Sequence, residues 1–391
     1  MTPDAIREID HEHAVNHRYG AAAHAREAAL CCPTNYDATA LKVIPDEIVE
    51  RDYGCGDPSQ HVSAGETVVD LGSGAGKICY ILSQRVGPNG RVLGVDVNDE
   101  MLGLAREHQE TIARRIGYSN VEFVKARIQD MRLDLDAFED VLKTLSIKSL
   151  EGFECAQAEA ERIRRTSPAV PSEFADVVVS NCVLNLVRPA DKKQLFAEIF
   201  RILKVGGRAV ISDIVCDEPP TLEMQHDSEL WSGCISGAFI EAEFLTAFEE
   251  AGFYGVEILE RAPEPWQTVQ GIEFRSMTVR AYKGKQGPCF ERNQAVVYAG
   301  PFKSVTDDDG HSYPRGERIA VCDKTYRLLT NPGSPYRKSM IPIEPRIEIP
   351  LETAHPFGCD GLMIRHPRVT KGEDYQVTES GSANCTGDSC C

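Results

Sequence analysis

The sequence has no cluster of lysine and arginine, and its formal net charge is -18. A nucleic-acid groove needs a basic stripe to replace phosphate counterions, and an anionic membrane surface attracts the same kind of patch, so both partners are disfavoured. No window approaches the ~20 apolar residues that a membrane helix requires. The opening stretch, MTPDAIREIDHEHAVNHRYG, is polar and acidic and lacks the apolar core of a secretion signal. These absences point to a soluble, cytoplasmic protein. No pair of CxxC motifs occurs either, which argues against a closed zinc knuckle.

What the chain has in quantity is cysteine. It carries 14 among 391 residues, within an otherwise ordinary globular balance of 42% apolar and 26% charged residues. In a large chain without a secretion signal, these read as free thiols for metal binding or redox work before structural bridges. Such a length allows two or more cores, since a single core stops growing near ~250–300 residues.

The middle third alternates regularly. ETVVDL predicts a strand, KICYILSQRVG a helix, GRVLGVDV a second strand and NDEMLGLAREHQETIARRIG a long helix capped by Asn98 and closed by Gly117. VEFVKARIQD, FADVVVSNCVL and RAVISDIV predict three further strands, with the helix ADKKQLFAEIFRILKVGG before the last. Strands alternating with helices over short turns argue for an α/β fold with an open, doubly wound parallel sheet. Residues 133–171 form a Glu-, Arg- and Ala-rich insertion, expected to be helical and peripheral. After residue 215 the pattern loosens, although EAEFLTAFEEAG still predicts a helix. From about residue 281, short β-like runs among Pro and Gly predict a small loop-rich C-terminal domain, and the last residues have the composition of a disordered tail.

VVDLGSGAG places Asp70, Gly72, Gly74 and Gly76 directly after the first predicted strand. A glycine-rich turn alone is weak evidence. Here a helix follows it, and Asp96 ends the second strand about 20 residues on, where a carboxylate can accept both ribose hydroxyls of an adenosine group. The spacing differs from the dinucleotide fingerprint and resembles motif I of class I S-adenosylmethionine-dependent methyltransferases. That resemblance implies that Met101 covers the adenine, Ile128 holds its edge and Asn181 faces the sulfonium side. Core packing is the competing reading of Met101 and Ile128.

In open α/β sheets the ligand sits outside the carboxyl ends of the strands. SNCVLNL puts Cys182 at that lip, where a thiol can face a methyl donor. The Asn/Asp-Pro-Pro-aromatic segment that many amine methyltransferases carry there is missing. Two more cysteines share a small-residue loop setting: Cys55 in RDYGCGDP and Cys234 in LWSGCISGA. Small neighbours leave a thiol open to a ligand.

YGCG, DLGSGAG, SNCVLNL and LWSGCISGA together closely resemble the arsenite S-adenosylmethionine methyltransferases. The adjacent Cys31 and Cys32 match that family's N-terminal cysteine segment. The resemblance covers residues 25–282, and GPFKSVTDDDGHSYPRGERIAVCDKT looks like the family's algal and microbial members. It implies a Rossmann-like sheet that binds S-adenosylmethionine, with Cys182, Cys234 and Cys55 as the ligands of trivalent arsenic. Cys32 would exchange with Cys55 through a disulfide, with thioredoxin or glutathione restoring the thiols. Soft thiolates select trivalent arsenic over oxygen-seeking ions. The bound arsenic keeps a lone pair and carries no proton, so no general base is needed. Tyr53 could meet the sulfonium through a cation–π contact, with simple packing as the competing reading.

The expected division is an N-terminal segment at 1–40, an S-adenosylmethionine domain at 41–215, an arsenic-binding domain at 216–283, a C-terminal domain at 284–372 and a tail at 373–391. The tail's Cys385, Cys390 and Cys391 either collect arsenite or are inert. Cys79 is expected to be buried, and Cys155, Cys216, Cys289, Cys322 and Cys359 receive no role. Two other functions stay open: methylation of a small organic acceptor such as a sterol or quinone ring carbon, and arsenite sequestration without turnover. The first calls for a long apolar pocket and a base; the second has no use for motif I.

Overall fold

Short apolar runs separated by amphipathic helices assemble, in the computed structural model, into a mixed sheet with helices on its faces. The structure describes residues 3–27, 34–51, 53–145, 147–359, 361 and 363–372. The chain divides into two units, Met1–Lys283 and Gly284–Cys391.

The first unit is built on β1 (Thr67–Leu71), β2 (Arg91–Asp96), β3 (Val121–Lys125), β4 (Ala175–Asn181), β5 (Leu203–Cys216), β6 (Tyr254–Arg261) and β7 (Ile272–Tyr282). They lie in the order β3-β2-β1-β4-β5-β7-β6, and two short strands pair at the side to complete a nine-stranded sheet. β1 to β5 run parallel, while β7 lies antiparallel to both β5 and β6. The order reverses between β1 and β4, which opens a crevice at their carboxyl ends. The central strands are buried on both faces: Val68, Val69 and Leu71 of β1 and Val177, Val178 and Val179 of β4 are all inaccessible. That is why they read as continuous apolar runs rather than as alternation.

Helix α1 (Pro3–Ala22) precedes the sheet. α2 (Lys77–Val86) follows the glycine loop. α3 (Asp99–Ile116) begins where the Asn98 side chain accepts the Met101 N–H at 3.0 Å, and ends at Gly117. The insertion forms α4 (Leu135–Thr144) and α5 (Leu150–Thr166), whose Ala160 and Ile163 pack with Leu133 in a small cluster of their own. α6 (Pro189–Ile202) stops before the predicted end of its segment, because KVGG already belongs to β5: Leu203 pairs with Ala175, and a register shift follows before Val177 pairs with Arg208. α7 (Glu241–Glu250) sends Phe244 and Phe248 into the core. The two antiparallel strands are not marked by the sequence pattern. β7 is buried on both faces along most of its length, so period-2 alternation is lost.

The second unit holds β8 (Phe290–Glu291), β9 (Ala295–Tyr298), β10 (Arg318–Ala320), α8 (Asp323–Thr330), β11 (Met340–Ile343) and β12 (His355–Pro356). β9 is flanked by β10 and β11, and β8 pairs with β12. Val296, Tyr298, Tyr313, Ile319 and Leu329 form its core. No described helix is long and apolar enough to cross a membrane.

Candidate active site

The glycine loop follows β1 and bends back under β2: Gly72 and Ser73 N–H both donate to the Val95 carbonyl, at 2.8 and 3.0 Å. Gly72 lies at φ +66°, and a Cβ there would stand 2.4 Å from the Val183 side chain. The loop and the end of β4 are thus in contact, and only glycine permits it. Asp96, at the tip of β2, accepts Gly74 N–H at 2.8 Å on one oxygen, and Val97 and Asn98 N–H at 2.7 and 2.9 Å on the other. Burial raises its pKa, and these backbone donors partly offset that.

A cavity of 380 Å³ opens over these residues and suits a cofactor-sized molecule. Gly72, Gly74, Asp96, Met101, Ile128 and Tyr53 line it, and so does Cys182. Asp70, Gly76 and Asn181 are not among its lining residues. Asp70 is buried and accepts from the Cys79 thiol at 3.3 Å, and Gly76 opens α2. Asn181 points to the Cys55 loop instead.

One wall comes from α1, which sequence reasoning missed. Glu12, His13, Asn16 and Tyr19 line the cavity. The helix is held there by Asn98, which donates to Asn16, and by Glu12, which pairs with Arg127 and Arg188, both at 3.1 Å. Tyr19 and Tyr53 meet edge to face at 6.3 Å, and the Tyr53 hydroxyl accepts Glu27 N–H at 2.8 Å. Nothing local marks α1 as a wall, since its role depends on contacts far away in sequence.

The thiols gather around SNCVLNL. Cys182 N–H donates to Ser212 O at 2.8 Å, and the residue turns to φ +64°; Cys234 has the same φ. Left-handed backbone at a non-glycine residue costs on the order of 1–3 kcal/mol and is retained where the surroundings fix it. Two asparagines tie the neighbouring thiol loops to this turn. The Asn181 side-chain oxygen accepts Cys55 and Gly56 N–H at 2.9 and 3.1 Å, while its nitrogen donates to Gly56 O at 2.8 Å and to Tyr36 at 3.1 Å. A Cβ on Gly54 would stand 2.3 Å from that amide, so the loop can approach only with glycine there. The Asn185 nitrogen donates to Ile214 O at 2.6 Å and to Cys234 O at 3.3 Å. One seven-residue stretch therefore presents Cys182, draws in the Cys55 loop from one direction and ties the Cys234 loop from another.

The Cys234 thiol donates to Cys182 O at 3.4 Å. Its nearness lowers the Cys182 pKa, but the Cys55 thiol, burial and the nearby Asp213 outweigh that and hold Cys182 well above the ordinary thiol range. Cys234 is raised by Cys182, by burial and by Asp213. The Tyr19 hydroxyl lies 3.9 Å from the Cys234 sulfur. Asp213 is fully buried and accepts Leu184 and Ile214 N–H, each at 2.8 Å; burial pushes its carboxyl up to about 6. Cys182 and Cys234 are thus held as thiols, suited to a neutral soft acceptor. Cys31 and Cys32 lie outside the described residues, as do Cys385, Cys390 and Cys391.

Residues 62–252 match a methyltransferase domain, and residues 285–375 match a domain of unknown function. An arsenite methyltransferase of Aquipseudomonas alcaligenes is 30% identical over 319 residues, covering 78% of this chain and 82% of the relative. The arsenite methyltransferase of Mus musculus is 28% identical, with 76% and 72% covered. Among solved structures, an arsenic(III) S-adenosylmethionine methyltransferase from Chlamydomonas reinhardtii superposes with a TM-score of 0.53 at 25% identity, covering 81% of this chain and 99% of that one.

Proposed function

This chain belongs to the arsenite methyltransferase family, and we propose that it moves methyl groups from S-adenosylmethionine to trivalent arsenic held by Cys55, Cys182 and Cys234. One observation carries the reading: Cys182 lines the same cavity as Gly72, Gly74, Asp96 and Met101. Substrate-binding thiol and cofactor loop thus face a single space.

The cavity residues fit the cofactor. The Asp96 carboxylate borders the cavity as a ribose acceptor, Met101 and Ile128 give apolar walls for adenine, and Gly72 and Gly74 leave backbone room for the methionine part. When bound, S-adenosylmethionine supplies the electrophilic sulfonium methyl that an arsenic lone pair takes. Arsenite enters as neutral As(OH)3. Each thiol proton leaves with a hydroxide as water, so thiols with raised pKa values are no obstacle. Three As–S bonds then leave a lone pair on arsenic, aimed by the fixed backbones of Cys182 and Cys234. No proton needs to be removed from arsenic, so catalysis rests on positioning.

Gaining a methyl through its lone pair leaves arsenic formally pentavalent. In this reading the Cys32 sulfur attacks the arsenic-bound Cys55 sulfur: the S–S bond forms as the As–S bond breaks, that bond's electron pair returns to arsenic as its lone pair, and the Cys32 proton passes to solvent. Thioredoxin or glutathione then reopens the bridge, and the reading takes the enzyme as a cytoplasmic one that serves arsenic detoxification. Within the first unit, residues 41–215 serve the cofactor and 216–283 supply Cys234. The test is incubation with arsenite, S-adenosylmethionine and a thiol reductant, with products read by arsenic speciation. Methylated arsenicals are expected, and Cys182→Ser abolishes them. Cofactor turnover with no methylated arsenic would refute the reading.

A further inference from the structure

A second thiol cluster lies in the other unit. Cys289, Cys322 and Cys359 are far apart in sequence, yet their sulfur atoms all lie within 4.8 Å of one another. No other three-donor group of His, Cys, Asp or Glu closes this tightly among the described residues. Cys322 is buried and the other two are half-buried.

The unit builds this cluster from three separate elements. Cys289 precedes β8 and accepts Phe357 N–H at 2.9 Å, while Phe290 N–H donates to Asp323 at 3.1 Å. That pair of bonds brings the start of β8, the first turn of α8 and the loop after β12 together. Cys322 caps α8, its sulfur accepting Thr325 N–H at 3.3 Å. Cys359 hangs from the loop after β12, its sulfur 4.0 Å from Phe357 O. All three are free thiols.

Three thiols with no fourth donor among the described residues make an incomplete site for zinc, which takes four ligands in structural sites. They make a complete one for a trivalent pnictogen, which is soft, takes three thiolates and keeps its lone pair in the fourth direction. We propose that Cys289, Cys322 and Cys359 form a second binding site for trivalent arsenic, separate from the thiols that face the cofactor cavity. The proposal takes from the preceding reading only that the chain meets arsenite. Binding breaks three As–O and three S–H bonds and forms three As–S bonds. Three water molecules leave, and arsenic stays trivalent.

A divalent cation must strip the proton from each thiol, whereas As(OH)3 brings a hydroxide to each.

The experiment uses the reduced full-length chain. It is titrated with arsenite, its remaining thiols are alkylated, and each cysteine is mapped by mass spectrometry. Cys289, Cys322 and Cys359 should become protected in parallel, in the Cys182→Ser chain as well as the original. Cys322→Ser should raise the arsenite needed to protect Cys289 and Cys359 by at least about tenfold, because the chelate is lost. Protection of Cys182 and Cys234 should be unchanged in that variant. Cys359→Ser, on a loop, gives the same comparison should the helix cap prove essential to folding. Three outcomes overturn the proposal: thiols that stay reactive at arsenite levels protecting Cys182, protection that survives Cys322→Ser, or protection by zinc and not by arsenite. Failure of the catalytic reading shows separately, as Cys182 and Cys234 left unprotected while this cluster is covered.

Discussion

Replacing Asn181 by alanine should separate the first methylation from the second. Its carboxamide makes four hydrogen bonds, two from Cys55 and Gly56 N–H, one to Gly56 O and one to Tyr36. Each contributes about 1 kcal/mol net, and part of the loss returns when the freed loop meets water. About 3 kcal/mol should therefore leave the state in which Cys55 is held beside Cys182, on the order of a hundredfold in affinity for a three-thiol ligand. Asn181 is not among the cavity-lining residues, so cofactor affinity should hold. On the proposed reading arsenite takes three thiols, whereas a trivalent monomethyl arsenical takes two, which Cys182 and Cys234 would supply. Asn181→Ala should thus depress methylation of arsenite about a hundredfold at subsaturating substrate and spare that of methylarsenite. Speciation of products from each substrate, alongside a thermal melt and a cofactor titration, gives the answer. Equal loss of both activities in a folded variant would refute the reasoning, and so would wild-type behaviour with arsenite.

Asp96→Asn should weaken S-adenosylmethionine binding by at least ~1 kcal/mol and leave arsenite binding intact, because it removes a charged ribose acceptor; unchanged cofactor affinity by titration counts against that role. Cys55→Ser or Cys32→Ser should abolish methylation of arsenite and spare methylarsenite, and a variant that loses both equally sinks the division of labour. The Asp213 carboxyl is raised from 3.8 to about 6, so its contribution to stability is full below pH 3.8 and lost as pH rises through 6, a fall of about 3 kcal/mol. Asp213→Asn should flatten the denaturation-midpoint profile over that window, and an unchanged slope would mean the group is not buried as described. Deleting residues 381–391 should slow turnover only when arsenite is scarce and competing thiols abundant; a lowered rate at saturating arsenite would place the tail in the catalytic centre.

Much of the first unit was legible because its signals are local. β1 to β5 are apolar runs bounded by turns, and Asn98 and Gly117 mark the ends of α3 by side-chain capping and left-handed backbone. The cavity lining at Gly72, Gly74, Asp96, Met101 and Ile128 followed from those elements and the resemblance. What escaped has no local mark. α1 becomes a wall only through Asn98, Arg127 and Arg188, and β7 lacks the alternation that burial on both faces erases. The expectation for Asn181 pointed it toward the sulfonium, but a side chain at the end of β4 can turn to either neighbour, and only the Cys55 loop's approach decides.

The cysteines show the same limit more sharply. Cys55, Cys182 and Cys234 drew notice because each sits among small residues, a property a sequence displays. Cys322 sits at a helix cap, and Cys289 and Cys359 beside short strands, settings no composition distinguishes from structural thiols. Yet the second set closes within 4.8 Å and the first does not meet that spacing. The difference follows from what each must do. A site that only holds arsenic gains from three thiols already converged, since less order has to be imposed on binding. A site that must accept arsenite with three thiols, then a methylated product with two, needs one ligand able to leave. The Cys55 and Cys234 loops are each tied by an asparagine side chain, Asn181 and Asn185, but Cys182 and Cys234 also have left-handed backbones, which Cys55 lacks. On the proposed reading, the thiol whose own backbone is unstrained, Cys55, is the one that can leave arsenic once it has been methylated.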